Sequence, residues 1–96
     1  SVTVEKPKSY RLAQNYPNPF NPSTTICFDL PNDGKVGVMI YDITGRVISQ
    51  LMNEYKEAGY YAVDFNASNF ASGIYYYSII ASENKFIATK KMVLVK

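Results

Sequence analysis

Residues 72–96 read SGIYYYSIIASENKFIATKKMVLVK, and this stretch decides the fold. Tyr75, Tyr77, Ile79 and Ala81 share one parity, and Tyr76, Ser78 and Ile80 the other. In the second half Ile87, Thr89, Lys91, Val93 and Val95 oppose Phe86, Ala88, Lys90, Met92 and Leu94. Successive side chains of an extended chain point to opposite faces, so aromatic and β-branched residues with a period of two predict two strands. Ser82-Glu83-Asn84-Lys85 supplies the turn between them, with Asn84 able to take the left-handed conformation of a short hairpin loop. Chain ends are loose unless something ties them down. A strand running through to Lys96 therefore implies that the fold or a partner holds it.

Working outward, 96 residues with 47% hydrophobic and 19% charged side chains make one globular domain, large enough for a core without disulfide staples. Nine Tyr and five Phe with no Trp favour sheet, where aromatics pack well on a pleated surface. A net charge of +2 is too small to imply nucleic acid. The terminal hairpin is nonetheless locally basic: Lys85, Lys90, Lys91 and Lys96 follow Glu83 with no acid among them. No run reaches the length of a membrane-spanning helix, and SVTVEKPKSY lacks the apolar centre of a signal peptide. That combination predicts either a cytoplasmic chain or a fragment whose targeting signal lies elsewhere.

Along the chain, residues 1–9 read as the tail of a linker from something upstream, and residues 10–96 as the domain. Tyr10 to Ala13 predicts a short edge segment. Asn15-Tyr16-Pro17-Asn18-Pro19-Phe20-Asn21-Pro22-Ser23 follows, where each proline fixes its own φ and extends the residue before it. A stiff loop is expected, pinned by Tyr16 and Phe20. Thr24 to Leu30 alternates as a strand and stops at the turn Pro31-Asn32-Asp33-Gly34. Val36, Val38 and Ile40 mark the next. Asp42-Ile43-Thr44-Gly45 has the form of a hairpin loop with its glycine at positive φ. Arg46 to Met52 carries Val47, Ile48 and Leu51, a phase shift that predicts a bulge or a bend. Val47 to Tyr55 also fits helical spacing, but Gly45 and Gly59 bracket it, and the strand reading is preferred. Glu54 to Gly59 then connects to a strand through Tyr61, Val63 and Phe65. About seven short strands in this length predict an all-β, Ig-like antiparallel sandwich.

The chemistry is sparse. The chain has no histidine, which removes the commonest general base and metal ligand. Asp29, Asp33 and Asp42 match no calcium loop and read as turn residues. Cys27, the lone cysteine, stands between Ile26 and Phe28 without a histidine or positive cluster to form a thiolate. Alternation sends Tyr76 to the face opposite Tyr75 and Tyr77, which argues against a continuous aromatic platform for sugars. The lysines of the last strand fit an edge protected against sheet-to-sheet pairing. No catalytic, cofactor or metal site is expected.

Several segments together carry a family resemblance: LAQNYPNPFNPSTTI at 12–26, VMIYDITGRVI at 38–48, AGYY at 58–61, SGIYYYSI at 72–79 and TKKMVLVK at 89–96. In that order they closely resemble the type A C-terminal sorting domain of the type IX, or Por, secretion system of Bacteroidota. The resemblance implies an Ig-like, noncatalytic signal on a larger cargo, read by an outer-membrane translocon. It implies passage through the periplasm to the cell surface or extracellular space rather than the cytoplasm. In many members a sortase-like peptidase removes the domain and joins the cargo to a surface anchor.

By match to the family pattern, Gly73 and Tyr75 form the glycine-x-tyrosine element before the penultimate strand. Lys90, Lys91, Met92, Val93, Leu94, Val95 and Lys96 correspond to the signal strand, and Asp42 and Gly45 to a structural turn. The physical expectation is an edge strand with unpaired backbone groups, open to strand addition by a receptor, with self-association through the same edge as a by-product. A competing reading is an extracellular Ig- or fibronectin-like accessory module that binds carbohydrate or protein, since sandwiches host many functions.

Overall fold

The computed structural model describes residues 5–96, so the first part of the expected linker, residues 1–4, lies outside the described residues. Seven strands form in chain order: β1 (Arg11–Leu12), β2 (Ser23–Leu30), β3 (Gly34–Tyr41), β4 (Val47–Lys56), β5 (Gly59–Asn66), β6 (Gly73–Ala81) and β7 (Phe86–Leu94). They make two antiparallel sheets, a three-stranded one ordered β1-β2-β5 and a four-stranded one ordered β4-β3-β6-β7. This is the all-β sandwich that the alternation predicts. In a constant-type immunoglobulin domain the split is four and three with the fourth strand on the other sheet. Here β4 stays with β3, because the tight Asp42 to Gly45 loop returns it to the same sheet.

Period two builds the core. Ile26, Phe28 and Leu30 of β2 face Val36, Val38 and Ile40 of β3, Tyr77 and Ile79 of β6, and Met92 and Leu94 of β7, all essentially without solvent exposure. Each such side chain contributes about 1.5–3 kcal/mol by leaving water. β4 is bulged as expected, with register shifts opposite Val38/Met39 and Ile40/Tyr41. The shifts let both Ile48 and Leu51 pack on the core despite their odd spacing.

Two local expectations are corrected, and one turn is placed. The stretch from Glu54 is not a connection: β4 continues to Lys56, and only Glu57 and Ala58 link it to β5. Asn53, Glu54 and Tyr55 are exposed on an edge strand, so they are polar without being loop. The Pro31 to Gly34 turn, expected to end β2, is a corner between the two sheets, since β2 and β3 belong to different ones. Asp33 anchors that corner by accepting the Ala58 N–H at 2.7 Å. Finally, Tyr16 pins the loop by its backbone alone, which pairs with Thr25 at 3.0 and 2.9 Å; its side chain is not an anchor, at 81% exposed against 1% for Phe20.

A recognition strand held by a proline-rich strap

β7 is an edge strand by topology, paired only with β6 within its sheet. Its inward row is Phe86, Ala88, Lys90, Met92 and Leu94; its outward row is Ile87, Thr89, Lys91 and Val93. The backbone groups pointing away from β6 are not open at the C-terminal half. Residues 14–20 lie along that edge as a strap. The Gln14 side-chain amide donates to the Lys91 carbonyl at 2.7 Å, and the Val93 N–H donates to the Asn18 side-chain oxygen at 3.0 Å. The Phe20 N–H reaches the Val93 carbonyl and the Val95 N–H reaches the Phe20 carbonyl, both at 2.9 Å. Phe20 thus pairs with Leu94 as a single parallel bridge. The expectation of a bare edge from Lys90 to Lys96 is therefore corrected, because this sequence supplies its own pairing partner for Lys91 to Val95.

The strap is fixed at its other end by buried polar groups. The Tyr77 hydroxyl, on a side chain with no solvent exposure, accepts the Asn15 N–H at 2.7 Å and donates to the Ala13 carbonyl at 2.6 Å. Burial pushes this phenol up to about 12, only partly opposed by the Asn15 N–H. The buried Asn15 side chain donates to Thr24 Oγ1 at 3.0 Å and to the Pro17 carbonyl at 3.2 Å. No buried side-chain nitrogen or oxygen among the described residues is left without a partner. The buried amide of Asn15 is accommodated in this loop because it is satisfied.

The residues that the sequence singles out fall into two groups. Met92 and Leu94 are core, at 0% and 1% exposure, so a partner that leaves the fold intact does not touch them. Tyr75 is half-buried, packs on Phe70 and donates its hydroxyl to the Ala71 carbonyl at 2.6 Å. Gly73 has φ 154° with open space where a Cβ would stand, so it sets the entry of β6 by conformation. Lys90 and Lys91 are not an equivalent exposed pair: Lys90 is half-buried on the inward row, Lys91 exposed on the outward one. Val95 is 51% exposed and follows β7. Lys96 donates its N–H to Ser72 Oγ at 2.9 Å and its ammonium to the Ser68 carbonyl at 2.6 Å.

Asp42 and Gly45 shape the β3–β4 turn. Asp42 Oδ1 accepts the Thr44 and Arg46 N–H groups at 2.9 and 3.1 Å, and Gly45 has φ 90°. The Thr44 hydroxyl first, then the Arg46 and Thr44 amides and the Arg46 charge, hold this carboxyl below its ordinary value. Among the described residues no cluster of three or more His, Cys, Asp or Glu side chains gathers to hold a metal ion. Sequence reasoning missed Gln14, Asn15 and Asn18. Their signal was on view as amide residues spaced among prolines, but it gave no hint of a partner more than sixty residues away.

These features define an immunoglobulin-like sandwich module whose last strand is displayed in one fixed conformation. The chain belongs to the secretion system C-terminal sorting domain family, whose model matches residues 14–96. It is a C-terminal sorting signal of the type IX secretion system. Its fold is similar to part of PorZ, an essential bacterial surface component of the type-IX secretion system of human oral-microbiomic Porphyromonas gingivalis. That likeness has a TM-score of 0.60 and 24% identity over 91% of this chain, which spans 11% of the length of the PorZ chain. No curated protein matches the sequence.

Proposed function

We propose that the outer-membrane translocon reads this domain folded, through the outward row of β7, with Lys91, Val93 and Val95 as the contacting side chains. Gly73, Tyr75, Lys90, Met92, Leu94 and Lys96 act by holding that row in place. The observation that carries the reading is the strap: the backbone of Lys91 to Val95 is already bonded by Gln14, Asn18 and Phe20. With those groups occupied, side chains rather than strand addition remain to identify the terminus. Such a role asks for no catalysis from the domain itself.

Around this signal, residues 1–9 serve as the junction to a cargo protein, and a sortase-like peptidase cuts there after export, leaving the cargo at the cell surface. Pro7 is buried and Tyr10 stacks on Phe86 at 4.9 Å, so the junction is fastened to the domain at Pro7 and Tyr10, with Lys8 and Ser9 exposed between them. A reporter fused ahead of this domain, expressed in type IX-competent cells and in cells lacking the translocon, tests the signal. Removing residues 90–96 abolishes export, and Lys91→Ala lowers it while changing stability by no more than about 0.5 kcal/mol, as surface substitutions do. Undiminished export of the truncated fusion would sink the reading.

A further inference from the structure

The two sheets differ on their solvent sides. Antiparallel sheets with one packed face normally turn polar residues to water on the other. The β1-β2-β5 sheet does so: Arg11 pairs with Asp29 at 3.0 Å, and Thr25 donates to Asp64 at 2.8 Å. The β4-β3-β6-β7 sheet mixes Gln50, Asn53 and Thr89 with exposed apolar side chains. The register sets Lys35 beside Tyr55, Met39 beside Ser78, Tyr41 between Val47 and Tyr76, and Ile80 beside Ile87. Tyr55, Ile87 and Val47 are 66%, 59% and 50% exposed. At Gly37, between Asn53 and Ile80, the missing side chain opens a depression of about 340 Å³ lined by Met39, Ile80, Lys35 and, from the β6–β7 turn, Glu83. The strands themselves carry two charges on this face, Lys35 and Lys91, both positive.

Contiguous apolar surface on a folded module marks an interaction site. We infer that this whole face, continuous with the outward row of β7, docks a protein surface that is apolar at its centre, inserts one side chain beside Gly37, and bears carboxylates opposite Lys35 and Lys91. The inference rests on the sorting reading, because it extends the row that includes Lys91. Charge decides between occupants. A second copy bringing the same face would set Lys35 and Lys91 against an outward strand row with no acid in it, Glu54 of β4 standing opposite Val36 on the other parity. An acidic-rimmed protein complements the two lysines. The Gly37 depression fits a single protruding side chain, which a lipid headgroup plane lacks.

The test replaces Val47→Thr, Tyr55→Thr and Ile87→Thr together in the reporter fusion, which removes apolar area while keeping strand-forming residues. Export falls about tenfold or more, the equivalent of losing about 1.4 kcal/mol of binding, with the melting temperature of the purified domain unchanged. Tyr60→Thr, on the other sheet, leaves export intact. If the triple variant does not fold, Lys35→Glu with Lys91→Glu reads the same face at exposed sites and also lowers export. Normal export of a folded face variant, alongside failure of the chain lacking residues 90–96, overturns the docking face and leaves the sorting reading standing. Normal export of both overturns the sorting reading and the docking face with it. A dimer in sedimentation that the triple variant dissolves, or binding to phosphatidylglycerol vesicles that it abolishes, overturns the protein partner in favour of a second copy or a lipid surface.

Discussion

The two hairpins of the four-stranded sheet start from similar sequence and are held by different means. β3–β4 is fixed locally: Asp42 closes the turn onto Thr44 and Arg46, and Asp42 N–H reaches the Arg46 carbonyl at 2.9 Å. β6–β7 has three successive non-glycine residues at positive φ in its turn, Ser82, Glu83 and Asn84, a conformation that does little to stabilise a hairpin by itself. Its far end is instead closed by the strap, through residues 75 and 77 positions away in sequence. The contrast teaches that the order of the last strand is a tertiary property. A hairpin turn brings β7 to β6, but Gln14 to Phe20 keep its end in place.

The comparison breaks most completely at Phe20. Phe20→Ala removes the buried anchor of the strap and costs about 3–5 kcal/mol. Hydrogen exchange then speeds first at Val93 and Val95 while the Asp42 turn keeps its protection. Equal loss of protection in both hairpins shows that the strap is not what distinguishes them.

Tyr77→Phe gives the next largest effect. It leaves the Asn15 N–H and the Ala13 carbonyl without their interior partner, at about 1–3 kcal/mol, or about 4–8 °C in Tm for each kcal/mol in a domain of this size. The sign of its pH dependence is fixed. The folded phenol titrates at about 12 against an ordinary 10.0, so its contribution is whole below pH 10.0 and is lost as pH rises through about 12. A denaturation series in that window falls more steeply for the native sequence than for Tyr77→Phe. Equal slopes would show that another group titrates.

The smallest effect belongs to the local turn. Asp42→Asn lowers Tm by less than Tyr77→Phe does and leaves exchange at Val93 untouched. Because the folded carboxyl sits below its ordinary 3.8, its stabilisation is present above that pH and disappears as pH falls through the lower folded value. The variant should flatten that acid limb in a thermal melt series, and an unchanged limb would remove Asp42 as its source.

What was legible in the sequence follows the same division. Alternation in Tyr75 to Ala81 and Phe86 to Leu94 gave the strands and the parity of their core faces, because period two is a local property. Asp42 and Gly45 announced their turn for the same reason. Tyr16 and Phe20 are both aromatic residues in one proline-rich loop, and only the position of Phe65, 6.2 Å from Phe20 between ring centroids, shows which of them turns inward. Glu54 to Lys56 read as loop since an edge strand needs few apolar side chains. The pairing of Gln14 and Asn18 with β7 depends on a distant partner that no local pattern encodes, so the last strand was expected with an open edge that the strap in fact occupies.

The strap also sets a schedule. Closing segments this far apart costs loop entropy before any bond repays it, so the contacts of Gln14, Asn18 and Phe20 with β7 come late in folding. A ribosome delivers residues 91–95 long after residues 14–20, and until they arrive the earlier segment has nothing to pair with. Completion of the fold is thereby a report that the last strand has been made, and a chain halted before Val93 carries an unfinished N-terminal loop as the visible mark of its truncation.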